Sequence, residues 1–328
     1  MTPKDLRNST KSSGWLTWIA FLLFFVYNLI LFFHSYWMCH FAPTDYKFRK
    51  PEERGFWESL KHLFFGEPIA RPKIQETPAD YGLQYEILNI KMSSQKKLQA
   101  WWIPVEPDIC KGTVLLFHPW ASCKDSLLTE AKKFFELGYN CFLLDFYGNG
   151  GSAGDTTTIG YWEADEVEKA FYLVQQNYPM PPFILFGRSM GAVAILRAVA
   201  VHRIKPDALL LECPFDRLLN TVTNRCAAKG SLAPFITANF LIFWGCLQLG
   251  YPGHLHNPAA YAKKVDIPTL LLHGGIDERV LLHEIERIFM NLKARKKLVL
   301  FEGLAHEPYL IAQTEKWENE VNHFLAGL

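Results

Sequence analysis

The run Gly187-Arg188-Ser189-Met190-Gly191 places a serine between two glycines, after the apolar stretch FILF and before MGAVAILRAVA. Composition gives only about 0.05 chance occurrences of such a G-x-S-x-G pattern in a chain of this length. The glycines permit a sharp strand-to-helix turn that holds the serine hydroxyl exposed in a strained backbone. The helix behind it then points free N–H groups at developing negative charge. A serine hydroxyl is not a nucleophile at neutral pH until a base takes its proton and an acid orients that base. His306 in GLAHEP and Asp277 in HGGIDERV are the candidates, each just past a β-rich run. Asp216 is the reserve acid, while Glu278 and Glu307 read as solvated loop residues. An ordinary serine in a βα turn is the bland alternative, and it leaves the placement of Asp277 and His306 unexplained.

Something must bring these three residues together. From about residue 83 the chain alternates short β-rich runs with helical patterns. Gln84–Ile90 and Leu98–Val105 suggest an opening antiparallel pair. Thr113–Phe117, Cys141–Phe146, Phe183–Phe186, Leu209–Cys213, Thr269–Leu272 and Lys297–Phe301 follow as further strands. Helical spacing fills the gaps at Leu127–Leu137, Trp162–Asn177, Met190–Val201, Leu282–Leu292 and Ile311–Leu325. Such alternation implies a mostly parallel sheet with helices on both faces. Ligands of these sheets bind at the carboxyl ends of the strands, where Ser189, Asp277 and His306 all fall.

The segments TPADYGLQYE, LLFHPW, DFYGNGGSAG, LFGRSMGAVAIL, LLLHGGIDERV and GLAHEP cover residues 77 to 328. Together they resemble the α/β-hydrolases, in the serine-hydrolase branch grouped with serine aminopeptidases and membrane-anchored acyl hydrolases. The order Ser189, Asp277, His306 is the order of that superfamily. The resemblance implies a Ser-His-Asp triad and an oxyanion hole made by the backbone N–H groups of Trp120 and Met190. Two departures stand out. Pro119 occupies the place of a usual glycine, and Tyr147 and Asn149 replace the usual Arg and His of the D-x-R-G-x-G-x-S loop.

Composition excludes other classes. Thirty-four Lys and Arg against 33 Asp and Glu leave a net charge of +1, too little field to predict a nucleic-acid partner. Seven cysteines without a CxxC pair argue for scattered thiols over a zinc or disulfide framework. The glycine-rich stretch Gly148–Gly154 lacks a helix opening at its last glycine, so it reads as a turn-rich loop and not a dinucleotide fingerprint. That sets aside a nucleotide-dependent oxidoreductase. His254 and His256 lack a third ligand nearby in sequence. No metal or organic cofactor is expected.

The 49% hydrophobic content has an address. Residues Trp15 to Phe33 carry no charge, and a helix of that length spans about 28 Å, close to a bilayer's hydrocarbon thickness. Trp15 and Trp18 at one end and Tyr36 and Trp37 at the other suit the interfaces. No small-x-small cleavage site follows Phe33, so an uncleaved span at 15–37 is expected in place of a signal peptide. Basic residues flank both ends, with Lys11 nearest the span, which leans toward a non-cytoplasmic body, while the unpaired-looking cysteines lean the other way and leave the side open. The chain then divides into a tail at 1–14, the span, an amphipathic segment and connector at 38–76, and the hydrolase-like domain at 77–328. Phe56, Trp57, Leu60, Leu63 and Phe64 mark one short amphipathic helix in the connector.

A second uncharged stretch, Leu232–Tyr251, cannot cross a bilayer without separating Ser189 from Asp277. It is expected to be part of a helical lid inserted at about 216–266, with Phe240 and Phe243 lining a lipophilic pocket. The expected function is a membrane-anchored serine hydrolase acting on a small-molecule or lipid acyl ester or thioester. Amide or peptide cleavage by the same triad and a non-catalytic membrane-tethered binding module are the alternatives.

Overall fold

The computed structural model describes residues 3–47, 49–93 and 96–328. Its centre is an eight-stranded sheet. In chain order the strands are β1 (Glu86–Lys91), β2 (Lys97–Ile103), β3 (Thr113–Phe117), β4 (Asn140–Asp145), β5 (Phe183–Arg188), β6 (Ala208–Glu212), β7 (Thr269–Gly274) and β8 (Lys296–Phe301). They lie in the order β8-β7-β6-β5-β3-β4-β2-β1. β3 to β8 run parallel, and only β1 and β2 are antiparallel to their neighbours. The five central strands are buried along their whole length. That is why they read as continuous apolar runs and not as alternating ones.

Alternation survives in where the side chains go. Leu115, Phe142, Leu185, Leu209 and Leu271 enter a core on one face of the sheet. Val114, Leu143, Ile184, Leu210 and Leu270 enter a core on the other. The first core is closed by α4 (Glu163–Asn177), α5 (Met190–Arg197), α8 (Pro258–Ala262) and α9 (Leu282–Asn291). The second is closed by α3 (Leu128–Glu136) and α11 (Thr314–Leu325). Two helical expectations are corrected at their ends. The helix after Ser189 stops at Arg197 and runs into a wider π turn over Ala198–His202. The C-terminal helix breaks at Gln313, φ −138°, into α10 (Tyr309–Ala312) and α11.

Outside the sheet, α1 (Pro3–Cys39) is a single helix. Its Gly14–Cys39 portion is 26 residues long and apolar enough to cross a membrane. The connector that follows is docked on the body. Phe41–Ala42 pair in parallel with Ile69–Ala70, and Arg71 donates to the carbonyls of Gly148 and Ser152. α2 (Phe56–Phe65) buries none of its residues. It leans on α1 through Phe33 and Phe65, centroids 5.1 Å apart, and through His34 Nε2, 2.9 Å from the Leu63 carbonyl.

The insertion between β6 and β7 forms α6 (Leu218–Ala228) and α7 (Pro234–Leu249). α7 lies along α1. Ser35 Oγ donates to the Leu241 carbonyl at 2.8 Å, Gln248 Nε2 to the Phe32 carbonyl at 2.9 Å, and Tyr27 Oη is 2.8 Å from Thr237 Oγ1. A third apolar core joins Leu31 of α1 to Leu218 and Val222 of α6 and to Ala238, Leu241 and Ile242 of α7.

Candidate active site

Ser189 stands between β5 and α5 with φ 52° and ψ −111°, a conformation that costs on the order of 1–3 kcal/mol in a non-glycine residue. The flanking glycines are there because two backbones meet at this turn. A Cβ on Gly191 would come within 2.1 Å of the Phe117 carbonyl oxygen, and one on Gly187 within 2.6 Å of the Ala192 nitrogen. The Ser189 N–H donates to the Glu212 carbonyl at 2.8 Å, and its own carbonyl accepts from Val193 N–H at 3.1 Å. The hydroxyl is thereby left facing the carboxyl edge of the sheet.

The loops after β7 and β8 bring the other two residues to it. His306 Nε2 is 3.1 Å from Ser189 Oγ, and His306 Nδ1 is 2.6 Å from Asp277 Oδ2. Asp277 Oδ1 accepts from the N–H groups of Arg279 at 2.8 Å and Val280 at 3.0 Å. Burial raises the Asp277 carboxyl, but the bond and charge of His306 and these two N–H donors outweigh it, so the group lies below the ordinary carboxylate range. Burial acts to lower His306. The Cys213 sulfur and the Asp277 carboxylate overcome it and raise the imidazole above its usual value. Asp216, the reserve acid, is bound by Arg287 and by Asn220 Nδ2 at 2.9 Å, and it makes no bond to His306.

Two residues with unclaimed backbone N–H groups, Trp120 and Met190, line the same cavity as Ser189. Met190 is the first residue of α5, and its N–H has no intrahelical partner. Neither it nor the Trp120 N–H donates to any acceptor among the described residues. The Trp120 group is aimed by His118. The Phe146 N–H donates to His118 Nε2 at 3.0 Å, which assigns the ring proton to Nδ1, and Nδ1 donates to the Pro119 carbonyl at 2.8 Å. In a trans peptide the C=O and the following N–H point opposite ways. Holding the Pro119 oxygen therefore turns the Trp120 N–H outward from the clamp. The proline removes only its own N–H and leaves that of Trp120 in place.

The cavity at Ser189 is lined by Trp120, Met190 and His306, by Thr221 and Arg225 of α6, and by Met38 of α1. It is partly open and has a volume of about 20 Å³, well below the roughly 300–1,000 Å³ of occupied small-molecule sites, so a substrate must widen it on entry. The expectation for Phe240 and Phe243 is corrected here. Phe240 packs on Phe24 and Tyr27 of α1, with centroids 5.9 and 6.4 Å away. Phe243 lies beside Trp244 and is half exposed. α7 is apolar on every side, and the face carrying Phe240 is claimed by α1, so α6 covers the serine instead.

Sequence reasoning missed several neighbours. Cys213, φ 41°, sits at the end of β6 with its sulfur 3.8 Å from His306 Nε2. Cys213, Asp277 and His306 bring three donor atoms within 4.8 Å of one another, the one such group among the described residues. In that group the His306–Asp277 bond already engages Nδ1 and Oδ2. Arg188, next to the nucleophile, is buried between Glu212, 2.7 Å away, and Glu130. Glu212 also accepts from Trp317 Nε1 at 2.8 Å. The only sequence trace of this network is a charged residue inside an otherwise apolar strand end.

Known proteins resemble the chain in sequence and fold. A family model described as serine aminopeptidase, S33, matches residues 108–238. The Bacillus subtilis protein YqkD, described as uncharacterized, is 25% identical over 226 residues, spanning 68% of this chain and 74% of its own. The Arabidopsis thaliana alpha/beta hydrolase domain-containing protein WAV2 is 26% identical over 49% of this chain and 50% of its own. Among solved structures, the Pyrococcus furiosus esterase Pf2001 superposes with a TM-score of 0.66 at 22% identity, covering 78% of this chain and 96% of the esterase. An Exiguobacterium antarcticum esterase gives 0.54 at 17% identity over 73% and 98%. Strand order, the strand-to-helix turn at Ser189 and these likenesses agree on one architecture, the α/β-hydrolase fold.

Proposed function

We propose that this protein is a membrane-anchored serine hydrolase that cleaves a carboxylic ester or thioester of a lipophilic acyl group. The observation that carries the reading is the continuous chain of bonds from Asp277 through His306 to Ser189 beside two unclaimed backbone N–H groups. Esterases among the structural neighbours support the same reaction class.

In the proposed reaction His306 Nε2 takes the Ser189 proton as Oγ bonds to the carbonyl carbon. The carbonyl π electrons move onto oxygen, which the Trp120 and Met190 N–H groups receive. Collapse of the tetrahedral species breaks the bond to the leaving group, which departs with the proton from His306. Water, deprotonated by the same imidazole, then releases the acid and returns the serine proton. Asp277 keeps Nδ1 protonated and stabilises the imidazolium. Removing one hole donor in such sites costs on the order of 10²–10³ in kcat.

The anchoring half of the reading is supported by α1. At about 1.5 Å per residue its 26-residue, mostly apolar portion Gly14–Cys39 extends about 39 Å, enough to cross a hydrocarbon core of about 30 Å with some tilt. Its last turns are part of the body. Leu31, Ser35 and Cys39 are buried there, and Met38 lines the cavity, which supports retention of the helix over its removal as a signal.

Fluorophosphonate labelling of detergent-solubilised protein tests the chemistry. Labelling of the wild type that vanishes in Ser189→Ala is expected; a folded wild type that stays unlabelled would refute it. Resistance of the full chain to alkaline carbonate extraction, with peptides from residues 15–33 still present, is expected of the anchor.

A further inference from the structure

The cavity at Ser189 has a polar end that the proposed reaction does not use. Arg225 of α6 lines it. Among the described residues its guanidinium has neither an ion-pair partner nor a hydrogen-bond acceptor, and it lies over the Trp120 ring with its carbon 5.3 Å from the centroid. Trp120 Nε1, in the same wall, is buried and also without an acceptor. Burial and the charge of Arg279 pull the Arg225 guanidinium down to about 10, against the attraction of Asp277. Asp277 makes no bond to it and is engaged with His306, Arg279 and Val280. Arg225 is half-buried, and a partly desolvated cation without a partner carries a cost. The cost is offset when a ligand supplies the anion, and a guanidinium matches a carboxylate or phosphate through paired N–H donors.

The opposite end of the cavity is aliphatic. Met38, Ile159, Leu218 and Val222 are shared between it and a second cavity, which continues between α1 and α7 past Ser35, Leu241 and Gly245. The site is therefore cationic at one end and apolar at the other. No Asp or Glu lines the cavity at Ser189, so the free amine of a peptide N-terminus would find no counter-charge there.

We propose that the leaving group of the substrate carries an anion, carboxylate or phosphate, which Arg225 and the Trp120 indole N–H bind while the acyl chain points toward the space between α1 and α7. This rests on the serine hydrolase reading and narrows it to anionic acyl amphiphiles.

A matched set of esters tests it: 4-acyloxybenzoates, 4-acyloxyphenyl phosphates, and the neutral methyl esters of the benzoates, all of equal chain length. The wild type is expected to favour an anionic member in kcat/KM, and the preferred one tells carboxylate from phosphate. Arg225→Met is expected to lower the anionic-to-neutral ratio of kcat/KM by about 10- to 100-fold, chiefly through KM, as fits loss of a hydrogen bond to a charged group. Arg225→Lys is expected to restore part of it. An unchanged ratio in a folded Arg225→Met protein overturns the proposal. Calorimetry on Ser189→Ala separates this from the hydrolase reading, because it measures binding without turnover. Equal affinity for a 4-acyloxybenzoate and its methyl ester overturns the anion site even if Ser189 labels. Tighter binding of the acid, with no labelling of the wild type, keeps the anion contact and overturns the hydrolysis.

Discussion

His306 Nδ1 lies 2.6 Å from Asp277 Oδ2, and the opposite oxygen of that carboxylate is held by two backbone N–H groups. The imidazole is thus locked in the tautomer that leaves Nε2 free to accept the serine proton. Its pKa is raised, and the base works only when neutral. The limb of kcat/KM that rises with pH should therefore sit above the ordinary histidine value of about 6.5. Asp277→Asn should lower kcat by about 10⁴ and move that limb toward acid. A pH–rate profile of the two proteins checks both parts.

In the proposed reaction His118 acts through Trp120, by its bond to the Pro119 carbonyl, and not on the substrate. Replacing it with Ala frees the Pro119 carbonyl, strands the buried Phe146 N–H, and lets the Trp120 N–H turn away. A fall in kcat of about 10- to 100-fold is expected with KM little changed, since the hole is used only in the transition state. The stranded donor should cost about 1–3 kcal/mol of stability. His118→Asn, which can both accept and donate, should recover part of the kcat; a loss confined to KM would show that His118 does not serve the hole.

Arg188 holds two buried carboxylates apart. Arg188→Met leaves Glu130 and Glu212 buried without their cation, and a loss of about 3–5 kcal/mol is expected. The folded variant would hold those carboxyls protonated to higher pH than its unfolded chain does. Its stability should then rise as pH falls, a trend readable in urea midpoints between pH 8 and pH 5.

Glu284 gives the same sign in the wild type. Its carboxyl is raised to about 7, mainly by burial and further by Asp216, against the Asn224 bond and the Arg287 charge. Oε1 accepts from Asn224 at 2.9 Å, while Oε2 has no partner. Because the folded pKa exceeds the unfolded one, this group lowers stability increasingly as pH rises from about 4.5 to 7. Glu284→Gln should raise stability above pH 7 by up to about 3 kcal/mol and have little effect near pH 4. Thermal melts of both proteins across that range decide it.

Much of this was readable before any coordinates. Ser189 announces itself because Gly187 and Gly191 are demanded by backbone contact, and a residue that only glycine can replace leaves a visible pattern. The central strands were legible because burial on both faces keeps their runs apolar from end to end. What escaped depends on contacts distant along the chain. Arg188 meets Glu130 and Glu212 across 58 and 24 residues, and Cys213 meets His306 across 93. No local pattern encodes such meetings. The direction of Phe240 escaped for another reason. A helix that is apolar all round has no preferred face, so only the presence of α1 decides which side carries that ring.

α1 runs without a break from Pro3 to Cys39, and its last turns are fastened to α7 by Ser35, Phe32 and Tyr27. No swivel separates the apolar stretch from the catalytic body. A protein tethered by a loose linker samples many heights and headings above its membrane, whereas this body would be carried as the rigid head of a mast. Tilt of the mast is the usual answer to a bilayer thinner than the apolar stretch. If the protein is anchored as proposed, each change of tilt would swing the cavity mouth through the same angle, and turnover would vary with lipid thickness.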